Sequence, residues 1–363
     1  MSKTISAGIF SVVLTILVLA VTVAAQSTPR ESLLILSKHD RTLAIVDPAS
    51  LKVLTKIPIG DDPHEVIASS DGKTAYVSNY GGNGAGALHT LAVVDLGNQK
   101  ALTPIDLGAL RGPHGLDFAG GKLWFTAEAS KAFGSIDPGT GKVDLILGTG
   151  QNRTHMIYVT QDVSRIFTTN VSSGTVSIFE RVTPKMQQFG PPPGAPPAGA
   201  GAPPSGPPPG LPTPEWNQTV IKVGNGDEGF DVTPDGRELW AANAQDGTVS
   251  IIDLAKKEVA QTLSANVRGA NRLKFTPDGK RAFVSTLFGS DVVVLDVAAR
   301  KEIKRIPVGH GAAGIQIQPD GSRVFIACTP DNYVVVIDLK SLEVAAHIDA
   351  GPNPDGLAWA VQR

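Results

Sequence analysis

The stretch NAQDGTVSIIDLAKKEVAQTLSANVRGANRLKFTPDGKRAFVST, residues 243–286, holds one period of a repeat that runs, with insertions, from Glu31 to the last residue. Within it, residues 248–253 form a short apolar run rich in β-branched side chains, and residues 258–263 alternate apolar with polar; both patterns predict strands. Residues 271–276 predict a third strand. It is closed by Pro277-Asp278-Gly279, where proline presets φ and glycine accepts the positive φ of a tight reversal. Residues 281–286 are the fourth. Four antiparallel strands in about 40 residues make one blade of a β-propeller, and a period of that length marks propellers and solenoids.

Working outward, ESLLILS, TLAIVD and VLTKIPIG (31–60) give three strands with no inner strand before them. Further inner strands begin at His64, His114, His155, Glu228, Asn271 and Ala313, and the chain ends in DGLAWAVQR, an inner strand from Asp355 that nothing follows. The tail supplies the strand that the head lacks. The expected fold is therefore all-β: a seven-bladed ring of four-stranded antiparallel blades, closed by the C-terminal strand, without the open sheet edges that invite aggregation.

YVSN at 76–79, Pro-Asp-Gly at 234, 277 and 319, and TVSIIDL at 248–254 resemble the YVTN-repeat family of bacterial seven-bladed propellers. The resemblance covers essentially all of the mature chain and implies the fold. It implies no single activity, because this family and the propellers similar to it include lactonase-type hydrolases, haem or quinone dehydrogenase subunits and surface-layer proteins. The blade around Trp124 departs from the pattern, with Ala119-Gly120-Gly121 in place of the Pro-Asp-Gly turn.

Composition narrows the partners. A formal net charge of -2 gives no global drive toward nucleic acid or anionic lipid. With 42% hydrophobic but only 6% aromatic residues, the chain suits flat stacked sheets of small and β-branched side chains. One cysteine, Cys328, excludes an internal disulfide framework and reads as a small buried hydrophobe. Lys3, the apolar run 7–25 and Val23-Ala24-Ala25 before Gln26 read as an export signal over 1–25, with the propeller spanning 26–363 in the periplasm or outside the cell. The same run is close to the length of a membrane span, so an uncleaved anchor is the alternative, and no other membrane contact is expected.

Two insertions break the period. Residues 183–215 are rich in proline and glycine and nearly free of charge, the composition of a solvated, partly polyproline II tether, or of a segment for an aromatic-lined partner groove. Residues 80–90, YGGNGAGALHT, join the second and third strands of the blade that begins at His64, on the opposite face, where a glycine-rich loop can act as a lid.

That second face carries the chemistry. The residue opening each inner strand points toward the central channel, and successive blades place there His64, His114, His155, Glu228, Asn271, Ala313 and Asp355. Three imidazoles and the Glu228 carboxylate form an expected metal site for zinc, iron, copper or manganese rather than calcium. Glu228 or Asp355 is the expected general base if the site is catalytic. The alternative is a water-filled mouth in which the histidines bond to Glu228 and Asp355. Arg153, Asn271 and Arg272 are the expected contacts to an anionic ligand; rim arginines, with Arg111 and Arg268 among them, are commonly solvated. Glu128 reads as a surface charge, and His89 and His310 as exposed. Two functions follow. One is an exported binding or interaction module for a small molecule or protein at the loop face, which needs only the fold; the other is a metal-dependent enzyme, a lactonase-like hydrolase or lyase, at the channel mouth.

Overall fold

The computed structural model describes residues 27–183 and 215–363; residues 1–26, with the expected export signal, and residues 184–214 of the Pro/Gly insert lie outside them. Among the described residues the strands form seven sheets of four. In six sheets the strands follow chain order from the axis outward, and in the seventh Pro354–Val361 pairs with Glu31–Ser37, Trp359 opposite Leu33 and Ala358 opposite Leu34. The last strand is thus the inner strand of the first blade, and the ring is closed. No helix among these residues is long and apolar enough to cross a membrane.

The period 243–286 proves to straddle two sheets, a correction to its reading as one blade. Thr248–Asp253 and Glu258–Ser264 are the outer half of the fifth blade, and Ala270–Phe275 and Arg281–Thr286 the inner half of the sixth. A repeat fixes how many sheets there are. Only the pairing of head with tail fixes where each sheet begins.

Second and third strands, such as Arg281–Thr286 and Asp291–Asp296, are buried on both faces because a neighbouring blade covers each one, which is why they read as continuous apolar runs. Core side chains meet between blades: Trp240, Val249 and Ile251 of the fifth pack against Leu273, Phe275 and Val284 of the sixth. Outer strands such as Lys100–Asp106 are mostly exposed.

Near the axis all seven inner strands carry a β-bulge, and in Pro354–Val361 it lies between Pro354 and Leu357, opposite Leu36. The register slips between Pro63 and Val66, Pro113 and Leu116, Thr154 and Ile157, Asp227 and Phe230, Ala270 and Leu273, and Ala312 and Ile315. Two residues there oppose one on the second strand, so both can be re-aimed toward the axis. In four blades the single opposing residue has a hydroxyl that accepts the freed N–H: Ser78 from Glu65 at 2.9 Å, Thr126 from Gly115 at 2.8 Å, Thr169 from Met156 at 3.3 Å and Ser285 from Arg272 at 3.1 Å. Three of these hydroxyls donate onward into the next blade, Thr126 to the His155 carbonyl at 2.6 Å, Thr169 to that of Glu228 at 3.0 Å and Ser285 to that of Ala313 at 2.7 Å. Blade is thereby tied to blade at the residues that line the mouth. Crowding there is severe: a Cβ on Gly115 would stand 2.6 Å from the His155 carbonyl oxygen, which only glycine avoids.

Asp227 opens the fifth inner strand and is fully buried, with Oδ2 accepting the Asn170 N–H at 3.2 Å and Oδ1 unpartnered. Burial pushes its pKa up to about 8. Between the ordinary carboxylate range and that value the folded chain holds a proton that the unfolded chain has released, so stability falls as pH rises, by roughly 1.4 kcal/mol per pH unit. In Asp227→Asn the fall in melting temperature between pH 5 and 8 should largely disappear. An unchanged pH profile in thermal unfolding would show that the acid is ionised and solvated.

Candidate metal centre

His64, His114 and His155 are each the second residue of an inner strand, in Pro63–Ala68, Pro113–Ala119 and Thr154–Val159. They sit on consecutive blades, with His64 and His114 ring centroids 4.4 Å apart and His114 and His155 centroids 3.8 Å apart. The rings form a row with His114 in the middle. Its two neighbours are oriented through Nδ1: His155 by Glu128, and His64 by Lys38 and, at 3.2 Å, by Asp355. The two contacts differ in kind: His155 Nδ1 meets a carboxylate that can itself ligate an ion, whereas Lys38 can only donate and makes His64 Nδ1 an acceptor. His155 Nε2 is buried and unpartnered. His114 is fully buried, and neither of its nitrogens has a hydrogen-bond partner.

Two sets of potential ligand atoms come within 4.8 Å of one another among the described residues: His64 with Glu65 and His114, and His114 with Glu128 and His155. Glu228 is in neither. Its Oε1 accepts from Arg153 at 3.2 Å and its Oε2 from Asn271 at 3.1 Å. Asp355 is engaged by Lys38 at 3.3 Å as well as by His64, and Ala313 contributes no polar group. His89 and His310 lie apart from the row, paired with Asp106 at 2.9 Å and Asp331 at 3.2 Å.

Glu128 corrects the sequence reading. It is 2% exposed, not a surface charge. The second strand Lys122–Ala127 ends in a 3-10 turn, Glu128–Ser130, whose first N–H donates to the Gly112 carbonyl at 2.9 Å, and this turn directs the carboxylate inward. There it meets His155, the Tyr80 hydroxyl and, at 3.6 Å, Arg153 Nε. Tyr80 opens the glycine-rich insert and lies over the row, its ring 5.0 Å from His64 and 4.9 Å from His114. The insert is held down at both ends, by Tyr80 N–H on Asp62 O at 3.0 Å and Gly112 N–H on Leu88 O at 2.8 Å.

Arg272, an expected contact to an anionic ligand, is 5% exposed on the inner strand Ala270–Phe275. The bulge turns it and Glu65 toward the axis, where the two pair across the channel between the sixth and second blades. This pair forms the floor of the mouth. Burial lowers the Arg272 pKa to about 10.

Burial, reinforced by Lys38 for His64 and by His155 for His114, holds both imidazoles well below their usual range and keeps them neutral at physiological pH. Burial alone would raise the Glu128 pKa, but His155, Arg153 and the Tyr80 hydrogen bond more than offset it, and Glu128 is ionised. Around the row the carboxylates of Asp62, Asp355, Glu65, Glu128 and Glu228 outnumber the cations Lys38, Arg153 and Arg272. The mouth combines neutral imidazole lone pairs with a surplus of negative charge, which suits a cation and disfavours an unaccompanied anion.

No curated protein matches the chain in sequence. Residues 213–318 match the family model of the YNCE-like beta-propeller. Among solved structures, a functionally unknown protein from Desulfotomaculum acetoxidans DSM 771 is similar at a TM-score of 0.71 and 14% identity, covering 92% of this chain and 99% of its own. A protein from Bacteroides fragilis NCTC 9343 described provisionally as a 6-phosphogluconolactonase reaches 0.68 at 15% identity, covering 92% and 99%. Kuenenia stuttgartiensis hydrazine synthase reaches 0.61 at 16%, covering 82% and 89%. At such identities the likeness is one of fold. With its ring closed, the chain is a seven-bladed β-propeller, and over residues 213–318 it is similar to the YNCE-like beta-propeller family.

Proposed function

We propose that this chain is an exported binding propeller whose channel mouth holds a divalent transition-metal ion and presents it to a small ligand. His114 carries the reading: a buried imidazole with no partner on either nitrogen is costly, about 1–3 kcal/mol for each unsatisfied group, and a metal ion is the partner its lone pair lacks. His155 and Glu128 stand in ligating range beside it, a nitrogen and carboxylate donor set that suits zinc, copper, iron or manganese. Export rests on the composition of residues 1–25.

Binding is favoured over hydrolysis for a specific reason. Glu228 has both oxygens engaged, Oε1 by Arg153 and Oε2 by Asn271, and Asp355 has Oδ2 engaged by Lys38 and His64. These contacts compete for the oxygens that a general base would use to take a proton from a substrate, and they do so at Asp355 even though burial raises its pKa.

Elemental analysis of the purified protein is expected to find zinc, copper, iron or manganese. A strong chelator should lower the melting temperature, and re-addition of the metal should restore it. Metal-free protein whose melting is indifferent to all four ions overturns the proposal.

A further inference from the structure

The row of imidazoles points to more than one ion. We propose that the mouth is a two-metal centre in which the His114 ring bridges the ions, one held with His155 and Glu128, the other with His64 and Glu65. The inference rests on the metal-binding reading above and deepens it.

Three observations carry it. The ligand atoms fall into two sets, not one, and the sets share only His114. His64 and His155 flank the central ring on opposite sides, so no single group of mutually close ligand atoms contains all three histidines. Above all, both nitrogens of His114 are buried without partners. One ion would satisfy one of them and leave the other orphaned in the interior; an ion on each satisfies both.

Each ion would have two imidazoles and one carboxylate, with a position open to solvent or ligand, a ligand set proper to catalytic and transport sites. Glu65 presents Oε2 for this role, because Arg272 engages Oε1. Outer partners are in place on both sides, Asp355 behind His64 and Tyr80 behind Glu128. Binding balances as follows: the second ion displaces the remaining ring N–H proton of His114, which passes to solvent, and the ring becomes a bridging anion. Two divalent cations then exceed the local surplus of carboxylates, so the loaded centre takes an anion, hydroxide or a small carboxylate, at the open positions.

The test is titration of the chelated full-length protein with Cu(II), followed by electron paramagnetic resonance. Two ions per chain are expected. The signal should grow with the first equivalent and lose most of its intensity with the second, because a bridging ring couples the two spins. His64→Gln should bind one ion and keep an uncoupled signal; Glu65→Gln serves as the second variant, with circular dichroism confirming that each is folded. One ion per wild-type chain, or two that remain uncoupled, overturns the bridge while leaving the single-ion reading intact. No bound ion overturns both.

Discussion

Chelated His114→Phe protein is expected to melt higher than chelated wild type. Phenylalanine keeps a planar ring in contact with His64, Tyr80 and His155 and carries no nitrogen to bury, though its ring is one atom larger. Removing two unsatisfied polar atoms, offset in part by the strain of the larger ring, should stabilise the metal-free fold by about 1–3 kcal/mol. The same substitution should abolish the stabilisation that metal confers, so wild type and variant exchange rank when metal is added back. Thermal unfolding of both proteins, with and without chelator, reads this directly. A chelated variant that melts well below wild type would mean that the His114 nitrogens are already satisfied in solution, and the case for an ion would lose its foundation.

The second large effect is expected at the floor of the mouth. Arg272→Met keeps the apolar stem of the side chain but strands the Glu65 carboxylate, which is 12% exposed. Breaking a buried pair from one side typically costs about 3–5 kcal/mol, whereas replacing both partners by apolar groups is often neutral. Arg272→Met should therefore lower stability by about that amount, and Arg272→Met combined with Glu65→Leu should recover most of it. Urea unfolding of the chelated proteins checks the pair. Equal stability of wild type and the single variant would place Glu65 and Arg272 in solvent and remove the cross-channel contact. The double variant would also lack the Glu65 ligand, so its metal stoichiometry bears independently on the two-ion centre.

How much of the site was legible follows from where its residues come from. His64, His114, His155, Glu228, Asn271 and Asp355 occupy one slot of a repeat, and a slot can be read by aligning the chain with itself. Glu128 and Tyr80 come from turns after second strands, where loop length varies between blades and no period applies. The 3-10 turn that aims Glu128 lies within the one blade with Ala-Gly-Gly in place of Pro-Asp-Gly, so the irregularity was visible although its consequence was not. Glu65, the partner of Arg272, was obscured by the strand rule itself. Simple alternation sends adjacent residues to opposite faces, whereas the bulge lets two consecutive residues face the axis. The signal that marks the bulge is short: a serine or threonine one residue before the end of the second strand, at Ser78, Thr126, Thr169 and Ser285.

By itself, the sequence determined the number of blades, the strands within them, the closure of head by tail, and the face on which the histidines lie. These are consequences of local periodicity and of one unmatched strand at each end, and they need no knowledge of distance. Only the tertiary structure decided that the imidazoles stand in a row with His114 buried at its centre, that Glu228 is drawn away by Arg153 and Asn271, and that Glu65 reaches Arg272 across the axis. Those outcomes depend on which charges desolvate together where the blades converge, and that pairing is set by three-dimensional proximity between side chains far apart along the chain.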